Sequence, residues 1–179
     1  RLPNIGQVGN KLHTQWMQEL FAGNSKAPSR PWLKTRMPAF GGYAKSLAHG
    51  LTNQAGIDHD AAIPSTNVAP AELKIGQQLL SQNQGLDCRQ CHGIGNEPPR
   101  GDDKTQIVLG VNFSESKKRI RKEYYDRWMM DPLRIDPQTK MPKYSADGKT
   151  TKIGDIHKGD AKKQFDALWK FLQSVPDDR

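Results

Sequence analysis

Cys88-Arg89-Gln90-Cys91-His92 constrains this chain more than any other run, because it holds both cysteines of the 179 residues. Two cysteines spaced by two residues, with a histidine directly after, read as an attachment site for c-type haem. The order has a chemical reason. Each thiol adds across one vinyl group of the porphyrin, and the two-residue spacer sets the sulfurs where the vinyls lie. The next residue falls beneath the ring, where an imidazole binds iron. A bare Cys-x-x-Cys says much less, since zinc sites and redox dithiols share it. The expected cofactor is haem c, held covalently by Cys88 and Cys91, with His92 as one axial ligand.

Composition fits a chain that borrows apolar core from a cofactor. Only 35% of residues are hydrophobic and 7% aromatic, which is thin for this length. No stretch approaches the roughly 18 apolar residues of a membrane helix, so no transmembrane segment is expected. The chain opens at Arg1 without a signal peptide and reads as a mature or excised piece of a longer product. Haem attachment of this kind is made outside the cytoplasm, so the motif implies the periplasm or an equivalent compartment. The 27 basic and 19 acidic residues leave a net charge of +8, which favours an acidic partner or an anionic membrane. The densest basic run, Lys117-Lys118-Arg119-Ile120-Arg121-Lys122, reads as a solvated helix face. No nucleic-acid partner is expected from it.

Residues 64–70, Pro-Ser-Thr-Asn-Val-Ala-Pro, read as a linker of turn formers. A helix is expected over 71–81, with Leu73, Gly76, Leu79 and Leu80 on one face and Gly76 permitting close approach of another helix. A second helix is expected over 116–130, with Ile120, Tyr124, Tyr125 and Trp128 inward and Pro132 ending it. The clearest helix runs over 160–175. Asp160 caps it, Phe165, Leu168, Trp169 and Leu172 form its buried stripe, and Pro176 stops it. Nothing alternates like a strand. The chain therefore reads as all-α with long loops.

The second axial position is open to methionine, histidine or no ligand, each with a different function. Met141 is the candidate. It lies 49 residues beyond His92, in a polar loop bracketed by Pro137 and Pro142, where filling a core does not explain it. Met129 and Met130 adjoin Trp128 and read as packing residues. His157 is the rival, in a polar, glycine-flanked stretch that reads as an exposed loop.

On these residues the stretch from about 72 to 175 resembles a class I cytochrome c domain. It shares an opening helix with Gly76, Cys-x-x-Cys-His, a middle helix, a Met-Pro loop and a closing helix with aromatics. It looks most like haem domains appended to larger bacterial proteins. The resemblance implies that the opening and closing helices cross near-perpendicularly, with Gly76 meeting the Phe165/Trp169 face. It also implies Met141 as the sixth ligand. One departure is the stretch 96–104, expected as a mobile surface loop.

The first sixty residues repeat the second half of this domain. Lys11-Leu12-His13-Thr14-Gln15-Trp16 matches Arg119-Ile120-Arg121-Lys122-Glu123-Tyr124 at an offset of 108, and Asn4 matches Asn112. Thr35-Arg36-Met37-Pro38-Ala39-Phe40 matches Thr139-Lys140-Met141-Pro142-Lys143-Tyr144 at 104, the change being a loop-length difference. Residues 43–51 would be a shorter closing helix. The organisation expected is a partial cytochrome c-like domain over 1–63 lacking its own Cys-x-x-Cys-His, the linker 64–70, and a haem domain over 71–179. Three explanations stay open. A missing N-terminal part carries a second haem and associates with this chain, or that part is a separate chain, or the first copy is degenerate and Met37 merely structural. Met37 is the expected axial ligand of any second haem.

The function expected is electron transfer by a His/Met-ligated haem, as a carrier or as a relay domain of a larger or dihaem protein. No catalytic residue is expected, and the partner is a redox protein, acidic if Lys140 and Lys143 help it dock. The alternative is an oxidoreductase or peroxidase with an open haem, for which His13 and His49 are available in the first copy.

Overall fold

A computed structural model describes residues 5–25, 37–64, 68–101 and 109–176. Among these the regular elements are α-helices and short 3-10 turns. Among the described residues β pairing is confined to isolated bridges, at Leu12 with Ile120, Ile94 with Glu97 and Thr150 with Asp160. The chain is all-α. It divides into two compact units, one formed by Arg1–Ser65 with Lys118–Tyr124, the other by Thr66–Lys117 with Tyr125–Arg179. Residues 65–67 of the expected linker, Asn4, Thr35 and Arg36 lie outside the described residues.

The first unit contains α1 (Val8–Lys11), α2 (Thr14–Ala22) and α3 (Ala44–Gln54), the last entered through a 3-10 turn at Gly41–Tyr43. Its core is Leu12, Met17 and Ala48, with Val8, Trp16, Phe21, Leu51 and Ile120 packed around them. The α1–α3 approach is close. A Cβ at Gly9 would collide with the backbone of Leu51, so only glycine fits there. Thr14 and Thr52 join α2 to α3 by a buried hydroxyl–hydroxyl bond of 3.1 Å.

The repeated segments 11–16 and 119–124 pair with each other inside this unit, and three pairs of contacts are returned under the 108-residue offset. His13 N–H donates to Arg119 C=O, and Arg121 N–H to Lys11 C=O, both at 3.0 Å. His13 Nε2 lies 3.1 Å from the Ile120 carbonyl oxygen, and Arg121 Nε donates to the Leu12 carbonyl at 2.9 Å. The Lys11 ammonium stands 5.4 Å from the centre of the Tyr124 ring. The Arg119 guanidinium stands 5.1 Å from that of Trp16. Such reciprocity is what two copies of one segment make about a local two-fold axis.

This pairing breaks the helix expected over 116–130. A 3-10 turn at Phe113–Glu115 leads into α5 (Ser116–Arg119), the chain extends through Ile120 and Arg121, and α6 resumes at Lys122–Met130. The backbone bonds of residues 119–121 go to 11–13 instead of up a helix. The basic run is likewise only partly solvated. Lys117 and Lys118 are exposed, but Arg121 is 7% exposed. Its guanidinium reaches Gly9 C=O, Leu12 C=O and Thr14 Oγ1.

The second unit is built on α4 (Pro70–Leu80) and α8 (Ala161–Ser174). Pro70 opens α4 at its first position, where a missing N–H costs nothing. The Asp160 carboxylate caps α8 by accepting from Lys163 N–H at 3.0 Å. The helices pack at Gly76, where a Cβ would lie 2.5 Å from the Ala167 carbonyl oxygen and against Phe171 Cβ. Gly76 thus meets the Ala167/Phe171 line, not the Phe165/Trp169 face. Phe165 and Trp169 are occupied by Tyr125, whose hydroxyl donates to Phe165 C=O at 2.8 Å and whose ring lies 4.7 Å from that of Trp169. Lys170 pairs with Glu72 at 2.6 Å. Pro132 begins a short α7 (Pro132–Ile135), capped by Asp131. Ahead of α8, the buried Gln164 amide donates to Ile153 and Ile156 carbonyls at 2.7 Å each, pinning the loop that carries His157. No helix among the described residues is long and apolar enough to cross a membrane.

Candidate cofactor site

Asp87, in the left-handed conformation with φ 54°, turns the chain into a 3-10 turn at Cys88–Gln90. Cys91 N–H and His92 N–H both donate back to Cys88 C=O, at 3.3 and 3.0 Å. The turn sets Cys88 inside and Cys91 half-buried, and neither is in a disulfide. Burial pushes the Cys88 thiol up to about 12. Burial, then the Asp87 charge, raises Cys91 as well. These are neutral thiols at pH 7. A redox dithiol instead lowers one thiol toward neutrality.

His92 is oriented by what surrounds its ring. Nδ1 lies 2.7 Å from the Val111 carbonyl oxygen, which can only accept. The proton therefore sits on Nδ1 and the lone pair on Nε2, the form in which imidazole binds a metal. Phe113 stacks on the ring with centroids 4.4 Å apart and planes 13° apart. Gly110 leaves it room, for a Cβ there would lie 2.5 Å from Cε1 and 2.8 Å from Nδ1. The segment supplying these residues is itself fixed. Asn112 Nδ2 donates to Gly95 C=O at 2.9 Å, and Phe113 N–H donates to Gly93 C=O at 2.8 Å.

The stretch after the motif is anchored where it is described. Arg89 donates to Glu97 at 2.9 Å and to Pro98 C=O at 3.2 Å. Arg100 pairs with Asp87, and the backbone N–H groups of Arg100 and Gly101 donate to Arg89 and Gln90. Residues 102–104 lie outside the described residues. The surface loop expected over 96–104 is thus tied back to the motif through 101.

Met141 is half-buried in a loop shaped by its neighbours. Its N–H donates to Thr139 Oγ1 at 3.2 Å. Lys143 pairs with Asp131 at 2.8 Å, while Lys140 is exposed. The Trp128 indole donates to Met141 Sδ at 2.8 Å. Three residues on, the Tyr144 hydroxyl lies near enough to the Cys88 sulfur for each to shift the other's ionisation, so the methionine loop and the cysteine turn meet. Met129 is in the core at 3% exposure. His157 is exposed at φ 48°, as a loop histidine should be. Met37 belongs to the first unit and is 45% exposed.

Sequence reasoning did not single out Gly110, Val111, Phe113 or Tyr144. Only Tyr144 left a trace, as an aromatic repeated at Phe40. Among the described residues no three His, Cys, Asp or Glu side chains converge as a bare metal ion requires. Comparison with protein-family models, with curated proteins and with solved structures gave no match.

Proposed function

We propose that the second unit is an electron-transfer haem c domain with His92 and Met141 as axial ligands and a class I cytochrome c fold. The observation that carries this reading is the His92 imidazole directly after Cys-x-x-Cys, its Nδ1 proton given to Val111 C=O. Haem c, held through Cys88 and Cys91, would supply a one-electron iron couple, of raised potential under His/Met ligation. The chain's own contribution is to hold both ligands. Val111, Phe113 and Gly110 fix the imidazole plane, while Thr139 holds the Met141 backbone and Trp128 its thioether. With His92 and Met141 both bound to it, the iron would keep no site for substrate, and the domain would carry electrons without being an enzyme. The motif's chemistry supports the periplasm or an equivalent compartment. The acidic partner is met through the net positive surface, with exposed Lys140 rather than paired Lys143 beside the ligand loop.

The test is Met141→Ala in the haem-loaded protein. Covalent haem should remain, the potential should fall, and reduced iron should bind carbon monoxide rapidly. An unchanged potential and no carbon monoxide binding refute Met141 as ligand.

A second haem is favoured by the reciprocal pairing of 11–16 with 119–124, which supports descent of the first unit from the distal half of such a domain. Met37 at 45%, Phe40 at 43%, Tyr43 at 72% and Leu47 at 43% exposure are the apolar residues it offers. Both cysteines lie in the other unit, so a haem on Met37 would be held by polypeptide outside these 179 residues. The haem-to-polypeptide ratio of protein isolated from its source tests this. Two haems, one losing its methionine ligand in Met37→Ala, support it, and one haem refutes it. The open-haem alternative loses a candidate, because His13 is buried and its Nε2 is engaged with Ile120 C=O.

A further inference from the structure

Two equivalent places on the local two-fold of the first unit are filled differently. Under the 108-residue offset His13 corresponds to Arg121. One is a permanent cation, the other a base that changes charge in mild acid. Both are buried, at 6% and 7% exposure. The Arg121 guanidinium donates to the Leu12 carbonyl and to Thr14 Oγ1, the residues on either side of His13. His13 Nε2 lies 3.1 Å from the Ile120 carbonyl oxygen, which can only accept. The neutral ring therefore carries its proton on Nε2 and leaves Nδ1 unprotonated.

We propose that His13 makes the pairing of 11–13 with 119–121 an acid-released clasp, opened when its ring takes a second proton. That proton would set a second cation beside Arg121, away from water. It would also set the charge at the N-cap of α2, the positive end of the helix dipole. Burial, then Arg121, disfavours the charged ring, against smaller opposing effects of the Ile120 carbonyl and the Glu123 carboxylate. The flanking cations are turned elsewhere, Lys11 to the Tyr124 ring and Arg119 to that of Trp16. α3 reaches this place through the uncharged Thr14–Thr52 bond. Two backbone bonds close the clasp, His13 N–H to Arg119 C=O and Arg121 N–H to Lys11 C=O. α2 and α3 have ties of their own, in Met17, Ala48 and the threonine pair. The segment 118–124 can thus open before those helices part, a local opening below the global one. What is released is the stretch that runs directly into α6. The clasp does not depend on what the second unit binds.

The test is amide hydrogen exchange of the haem-loaded 179-residue protein, corrected for the intrinsic pH dependence of exchange. Mass spectrometry reads peptides covering 9–17 and 117–125. Opening of both stretches should rise together by about tenfold per pH unit below about 6.5, while α3 and α8 stay protected. His13→Gln keeps a donor for the Ile120 carbonyl and does not titrate, so it should remove the rise. The rise should also level off where nuclear magnetic resonance shows the His13 ring of the closed form titrating, a check that needs no variant. Opening that is the same at every pH overturns the proposal, as does a rise that survives in His13→Gln. A rise shared equally by α3 and α8 is unfolding of the whole molecule and overturns the clasp.

Discussion

Replacing Gly76 by alanine tests the packing that holds the candidate site's unit together. In an ordinary helix interior this change is favourable, by about 1 kcal/mol. At Gly76 the new methyl would lie 2.5 Å from the Ala167 carbonyl oxygen and against Phe171 Cβ. Neither neighbour can swing aside, because both belong to the body of α8. The helices must separate, and overpacking of that kind costs about 3 kcal/mol at its upper range. The net expectation is a loss of about 2 kcal/mol. For a unit of about a hundred residues that is a fall of roughly 8–16 °C in melting temperature. Far-ultraviolet circular dichroism during thermal and guanidinium unfolding reads it, with the guanidinium midpoint confirming the free energy. Gly50→Ala is the control. Gly50 is interior to α3 with no atom within 4 Å of its would-be Cβ, so the same substitution should stabilise by about 0.5–1 kcal/mol. A neutral or stabilising Gly76→Ala would refute the close crossing. A Gly50→Ala as damaging as Gly76→Ala would show that the argument from space is wrong.

Gly110→Ala places a methyl 2.5 Å from His92 Cε1 and should tilt the imidazole off Val111 C=O. The haem-loaded variant should then keep its thioether links but show altered axial-ligand spectra, and unchanged spectra would contradict the cradle. His13 gives a pH test. Burial, then the Arg121 charge, lowers its pKa below 6.5 in the folded protein, so the unfolded chain binds the extra proton. Stability is full above about 6.5 and falls as pH drops toward the folded value. His13→Gln should flatten that slope, as measured by denaturant midpoints across pH, and a slope unchanged in the variant would count against it.

What was legible in the sequence is what depends on near neighbours. The Leu73, Leu79 and Leu80 face marks α4, and Asp160 with the Phe165–Leu172 stripe marks α8, within a residue or so, because caps and stripes are local signals; Pro70, read as the end of the linker, is the first residue of α4. Gly76 announced a close approach but not its partner. α8 is buried on more than one side, and a stripe does not say which neighbour takes which face. The break at Ile120 and Arg121 was illegible because its cause lies more than a hundred residues away, in the carbonyls of Lys11 and Leu12. Arg121 stood in a basic run with no mark to separate it from its solvated neighbours. At the site, cysteine and histidine spacing gave the donors, but the orientation of His92 rests on a backbone carbonyl and a missing Cβ. Main-chain atoms are common to every residue, so neither feature could be read as a motif.

The seven residues 118–124 have a consequence for the order in which the molecule is made. They complete the first unit but are translated after Cys88 and Cys91. A chain emerging from its N-terminus therefore presents Cys88 and Cys91 while the earlier unit still lacks Ile120 and Arg121. A truncation after residue 65 would not isolate that unit, whereas a protein stalled just beyond Tyr124 would hold every residue it needs.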